Sequence, residues 1–155
     1  MSDCCSTNTK EMVSETSVSE YCPSCKKKGK KVKIITLKAI LKPSVLDSLN
    51  PNSEHFFCNL EGCDVVYFDT DKKTYSISEI KVPVFQKDDS LTVPICYCFD
   101  WTREKITQYV KDGLASKPLE HIKQNVKENR CGCEVNNPQG SCCMGNVTKF
   151  IKQLP

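Results

Sequence analysis

The stretch His55-Phe56-Phe57-Cys58-Asn59-Leu60-Glu61-Gly62-Cys63-Asp64-Val65-Val66-Tyr67-Phe68 decides how the first half of the chain folds. Two apolar runs, His55 to Cys58 and Asp64 to Phe68, flank Asn59-Leu60-Glu61-Gly62. Such runs around a glycine-containing loop predict a β-hairpin. Cys58 and Cys63 bracket that loop, and upstream Cys22-Pro23-Ser24-Cys25 puts a second pair on a tight turn. Each turn lets two sulfurs converge, and two turns supply the four thiolates of a closed tetrahedral zinc site. The spacing predicts zinc on Cys22, Cys25, Cys58 and Cys63 in preference to a pair of disulfides or four unrelated buried cysteines. Such a site would stabilise a β-rich unit with too little core of its own.

Around the hairpin, Lys31 to Ile35 reads as a short strand and Pro43 to Leu49 as a brief helix. Asp69 to Lys73 is a turn, with Thr74 to Ile77 and Ile80 to Phe85 as further strand candidates. From Thr102 the apolar period becomes helical. Thr102 is the expected N-cap, with Ile106, Tyr109 and Val110 following and Gly113 ending the helix. A second helix starts after Ser116 and buries Leu119, Ile122 and Val126. Asn136 to Gly140 is a loop, and Val147, Phe150, Ile151 and Leu154 mark a last short helix. These helices are too short to stand alone and must pack on something. The expected class is α+β, with two subdomains meeting near Pro94. Residues 1–21 form a polar tail carrying Cys4 and Cys5, residues 22–95 a β-rich zinc-binding unit, and residues 96–155 a helical unit.

A length of 155 residues suits one domain or two small ones, and a net charge of +3 is too mild to point to nucleic acid or an anionic membrane. No apolar run approaches the ~20 residues of a membrane span. The first 21 residues hold four acids and one Lys, unlike a signal peptide, so a cytoplasmic location is expected. Twelve cysteines in a reducing compartment are free to bind metal. With only His55 and His121 beside them, the sites should be nearly all sulfur, favouring structural zinc or iron–sulfur over catalytic zinc. The basic run Lys26 to Lys31 reads as a solvated loop beside a metal turn. No Ser/His/Asp set, Cys/His nucleophile pair or phosphate loop is visible, which leaves acid–base or covalent enzymology unsupported.

A second constellation begins with Cys96-Tyr97-Cys98, followed after 32 intervening residues by Cys131-Gly132-Cys133 and then Cys142-Cys143. A Cys-x-Cys pair suits one iron of a dinuclear cluster, and the later group suits the other. Spacing alone also admits a second zinc. Both groups lie near helix starts, where N–H donors stabilise an anionic cluster. Trp101 and Tyr97 are expected to shield sulfur from water, and His121 to lie on the surface.

Cys96-Tyr97-Cys98-Phe99-Asp100-Trp101-Thr102-Arg103-Glu104-Lys105-Ile106, with Val110, resembles the start of bacterioferritin-associated-ferredoxin-like [2Fe–2S] domains. Taken with Cys22 to Cys25, Phe56 to Phe68 and Asn137-Pro138-Gln139-Gly140-Ser141-Cys142-Cys143, nearly all of residues 22–154 resembles the N-terminal domain of archaeal-type CopZ copper chaperones. The resemblance implies a structural zinc and a redox-active [2Fe–2S] cluster. It matches Cys133 and Cys143 to cluster ligands beside Cys96 and Cys98, with Cys131 and Cys142 as alternates. Helix phase agrees for Cys143, since Val147 and Phe150 follow it on one face. The implied function is iron–sulfur electron transfer with a redox partner protein or a copper-handling protein, by Cu(II) reduction or Cu(I) delivery, with Cu+ as a further candidate ligand. No MxCxxC copper loop, which such chaperones carry in a further domain, occurs in residues 1–155. The competing readings are a zinc-only module for nucleic acid or protein, and a thiol-based metal sink using Cys4, Cys5 and Cys142.

Overall fold

The structure, a computed structural model, describes residues 20–155. Cys4, Cys5 and most of the expected polar tail lie outside the described residues. β2 (His55–Phe57) pairs antiparallel with β3 (Val65–Asp69), placing Phe57 opposite Tyr67 and Phe56 opposite Phe68. β1 (Lys30–Val32) and β4 (Thr74–Ser76) flank this hairpin, giving a four-stranded antiparallel sheet in chain order. Every residue of β2 and β3 is buried, because the sheet is covered on both faces. Phe57, Tyr67 and Tyr75 pack with Leu37 and Ile40 of α1 (Ile34–Ile40). Phe56, Phe68 and Val65 pack with Cys22, Cys58 and Cys63 on the other side. Gly29 runs against the Phe68 ring, where an added β-carbon would lie 2.5 Å from a ring atom, so the approach requires glycine.

Two expected strands are corrected. The strand read over Lys31 to Ile35 stops at Val32, and Ile34 opens α1 instead. Leu37 and Ile40 share one helix face, and their burial in the core beside Leu41 outweighs the local strand preference. The strand read over Ile80 to Phe85 reduces to one bridge between Ile80 and Leu41. Pro83 offers no N–H to a ladder there. The brief helix after Lys42 is present as α2 (Pro43–Leu46).

The second half holds the paired strands β5 (Pro94–Cys96) and β6 (Trp101–Thr102) and four helices. Thr102 caps α3 (Arg103–Lys111), its Oγ1 accepting the Lys105 N–H at 3.1 Å. α4 (Lys117–Lys127) and α6 (Met144–Gln153) close a core of Ile95, Trp101, Ile106, Ile122 and Val147. α5 (Cys133–Asn136) is a single turn. The class is α+β, as the sequence pattern predicts.

The segment between α5 and α6 is inlaid in the first half. The Tyr67 hydroxyl donates to the Pro138 carbonyl at 2.5 Å. Gly140, at φ +71°, lies where a β-carbon would come within 2.9 Å of Thr36 Oγ1. Lys33 pairs with Glu134 at 2.8 Å and Lys30 donates to Ser141 at 2.7 Å along the rim.

Tyr67→Phe would leave the buried Pro138 carbonyl without its donor and should cost about 1–3 kcal/mol in denaturant unfolding of the metal-loaded chain. His55 is 2% exposed and its Nε2 has no partner. Burial pushes its pKa below the usual imidazole range, against the opposing pull of Asp69 across the hairpin. The unfolded chain therefore takes that proton first, so this contribution is full above about pH 6.5 and is lost as pH falls below it. Thermal melts of His55→Gln should depend less on pH between about 6.5 and 5 than parental melts. Equal slopes would refute this.

Candidate metal centres

Two backbone turns build the first centre. The Cys22 N–H donates to the Lys27 carbonyl at 2.9 Å, and the Lys26 N–H returns to the Cys22 carbonyl at 2.9 Å. On the hairpin, the Cys58 N–H bonds the Val66 carbonyl at 2.8 Å and the Cys63 N–H the Leu60 carbonyl at 3.3 Å. Gly62, at φ +89°, makes that second turn possible. The sulfurs of Cys22, Cys25, Cys58 and Cys63 all lie within 4.8 Å of one another. Cys22 and Cys63 are 4.0 Å apart, and Cys25 and Cys58 are 3.7 Å apart. A tetrahedron with Zn–S bonds of ~2.3 Å has edges of roughly 3.8 Å. Donor type and spacing fit a zinc ion.

Burial pushes the Cys22 thiol up, and pushes Cys58 up to about 12 against the Leu60 N–H and the Lys87 charge. Burial acts upward on Cys25 too, but the Lys27 backbone and the neighbouring thiols outweigh it and hold Cys25 low. A cation among these sulfurs supplies the charge that displaces the retained protons.

The second quartet is strung out as pairs. Cys96 ends β5, Cys98 follows in the turn to β6, Cys133 opens α5, and Cys143 precedes α6. Cys98 and Cys133 sulfurs are 3.7 Å apart, and Cys96 and Cys143 pack in one buried core. Cys96 and Cys143 are buried; Cys98 and Cys133 are half-buried. The Gly132 N–H donates to the Cys98 sulfur at 3.1 Å and Asn136 Nδ2 reaches it at 3.5 Å. Thiol acidity alternates along the string. Cys133 and then burial push Cys98 up, while Cys143 and Cys98 pull Cys133 down to about 3. Cys133 and Cys96 push Cys143 up, and Cys143 in turn draws Cys96 down. The alternates Cys131 and Cys142 are both exposed.

Sequence reasoning missed the residues that brace these centres. Lys87 Nζ donates to the Leu60 and Cys63 carbonyls, each at 2.9 Å, and lies 3.6 Å from the Cys58 sulfur. The Arg103 guanidinium donates to the carbonyls of Asp88 at 2.6 Å, Phe85 at 2.8 Å and Ser90 at 3.2 Å. Tyr97, expected as a sulfur shield, spends its hydroxyl on the same segment, donating to the Pro83 carbonyl at 2.6 Å and accepting the Phe85 N–H at 2.9 Å. Trp101 does pack in the core with Cys96 and Cys143, and its Nε1–H donates to Nδ1 of the exposed His121 at 3.0 Å. The basic run is spread over local partners, with Lys31 on Glu54 at 2.8 Å and Lys28 near Glu20 at 3.7 Å. No helix among the described residues is long and apolar enough to cross a membrane.

Residues 19–81 match the family model described as a zinc binding domain, zf_CopZ. The chain is 29% identical over 129 residues to a protein named copper chaperone CopZ from Archaeoglobus fulgidus, a match covering 83% of this chain and 60% of that protein. It therefore spans about three fifths of that relative's length. Its fold is similar to the X-ray structure of the Archaeoglobus fulgidus CopZ N-terminal domain, with a TM-score of 0.72 and 27% identity over 87% of this chain and 98% of that one. The compact cysteine quartet falls inside the matched zinc-binding segment, and in sequence and fold the chain is similar to the N-terminal domain of CopZ.

Proposed function

We propose that this protein is an iron–sulfur electron carrier with a structural zinc, serving copper handling. In this reading residues 22–95 hold zinc on Cys22, Cys25, Cys58 and Cys63. Residues 96–155 hold a [2Fe–2S] cluster on Cys96, Cys98, Cys133 and Cys143. The observation that carries the cluster reading is the paired layout of the second quartet, with Cys98 and Cys133 sulfurs 3.7 Å apart and Cys96 and Cys143 packed in one core, where the first quartet is compact. Pairs of thiolates suit two irons, and a compact four suits one ion. When bound, a [2Fe–2S] cluster supplies a one-electron couple.

The chain's own groups set the conditions for that couple. The Gly132 N–H and the Asn136 amide donate to Cys98, lowering the charge it presents. Ile95, Trp101, Ile106 and Val147 exclude water from the side of Cys96 and Cys143. Cys98 and Cys133, half-buried, form the edge nearer solvent and the natural side for electron exchange. A one-electron couple held there would suffice to convert Cu(II) to Cu(I), the ion that soft thiolates favour.

Anaerobic purification with iron, sulfide and zinc analysis tests the reading. About two irons, two sulfides and one zinc per chain are expected, with visible bands that dithionite bleaches. Zinc alone, even after cluster reconstitution, would sink the electron-carrier reading and favour a zinc-only binding module. Cys98→Ala should lose the visible bands and keep about one zinc, whereas Cys58→Ser should lose zinc. Loss of zinc from Cys98→Ala with iron retained would show that the cysteines are divided wrongly.

A further inference from the structure

We infer that Lys87 is an outer cation of the compact quartet, fixing its second turn and restraining the reactivity of the Cys58 thiolate; this rests on zinc occupying that quartet. Lys87 belongs to neither cysteine motif. Its ammonium has three N–H groups. Three acceptors surround it: the Leu60 carbonyl at 2.9 Å, the Cys63 carbonyl at 2.9 Å and the Cys58 sulfur at 3.6 Å. Holding those carbonyls fixes the turn that sets the spacing of Cys58 and Cys63.

Lys87 is half-buried, and among the described residues no carboxylate pairs with it, although Asp88 and Asp89 follow in sequence. A partly desolvated cation needs a counter-charge. Four thiolates around one zinc leave a net charge of about −2, and the Cys58 sulfur brings part of it to the ammonium. An N–H···S hydrogen bond withdraws electron density from sulfur and makes it a weaker nucleophile. The backbone carrying Lys87 is also held in place. Its N–H bonds the Val84 carbonyl at 2.9 Å, and Arg103 grips Phe85 and Asp88 on either side.

The test uses the full zinc-loaded chain with Lys87→Met, Lys87→Gln and Lys87→Arg. Zinc release under N-ethylmaleimide is followed with a chromogenic chelator, and modified cysteines are mapped by mass spectrometry. Lys87→Met and Lys87→Gln should release zinc about tenfold faster, as loss of one charge-assisted hydrogen bond predicts, with Cys58 modified first. Lys87→Arg should stay close to the parent. In the cobalt-substituted chain, Lys87→Met should move the sulfur-to-metal charge-transfer band to lower energy, a shift that a loosened fold alone would not give. A zinc-replete Lys87→Met chain with parental release and spectrum overturns the inference. So does Lys87→Gln behaving as parent, since Gln keeps a donor and lacks the charge; this comparison decides even if Lys87→Met does not fold. A parent chain that takes up neither zinc nor cobalt defeats the reading of the quartet itself, a separate result.

Discussion

Sulfur atoms held 3.7 to 4.0 Å apart in a protein interior cannot all be thiolates unless a cation lies among them. Much of the fold depends on how that constraint is met. One face of the sheet rests on Phe56, Val65, Phe68 and three cysteines, a set too small to order two irregular turns by apolar burial alone. Cross-linking the turns through one ion replaces the missing core, and the hairpin is then buried on both faces. Burial of β2 and β3 is therefore as much a consequence of the sulfur centre as of the helix on the other side.

The second half holds its sulfurs differently. Its sulfurs come from a strand end, a tight turn and two helix starts, so their positions depend on packing between distant elements. Ile95, Ile106, Ile122 and Val147 supply that packing. The inlaid segment adds a further dependence. Tyr67 and Thr36, both from the first half, seat Pro138 and Gly140, which lie between Cys133 and Cys143. The geometry of the second quartet is thus partly set by the sheet that carries the first.

The legible parts of the sequence were those whose signal is local. The hairpin, the Thr102 cap and the last helix each follow from neighbouring residues, and the Cys-x-x-Cys turn identifies itself by spacing. The strand misread over Ile34 and Ile35 shows the limit of such signals. Their β-branched side chains suggest extension, while burial of Leu37 and Ile40 against the sheet selects a helix. Ile80 to Phe85 fails for a related reason, since an apolar run says nothing about whether a neighbouring strand is present to pair with it. Lys87 and Arg103 were illegible because their partners lie 24–29 and 13–18 residues away and carry no pattern linking them.

Chain order gives the inlaid segment a consequence for biosynthesis. Cys63 precedes Cys143 by 80 residues, so the compact quartet is complete while the second still lacks its last members. Domains generally fold in the order in which they leave the ribosome. The sheet, already closed on its ion, then offers Tyr67 and Thr36 as a finished template for Pro138 and Gly140 when they emerge. Completion of the two quartets acquires a direction, and an immature chain does not hold the full second set of thiols before it has somewhere to seat them.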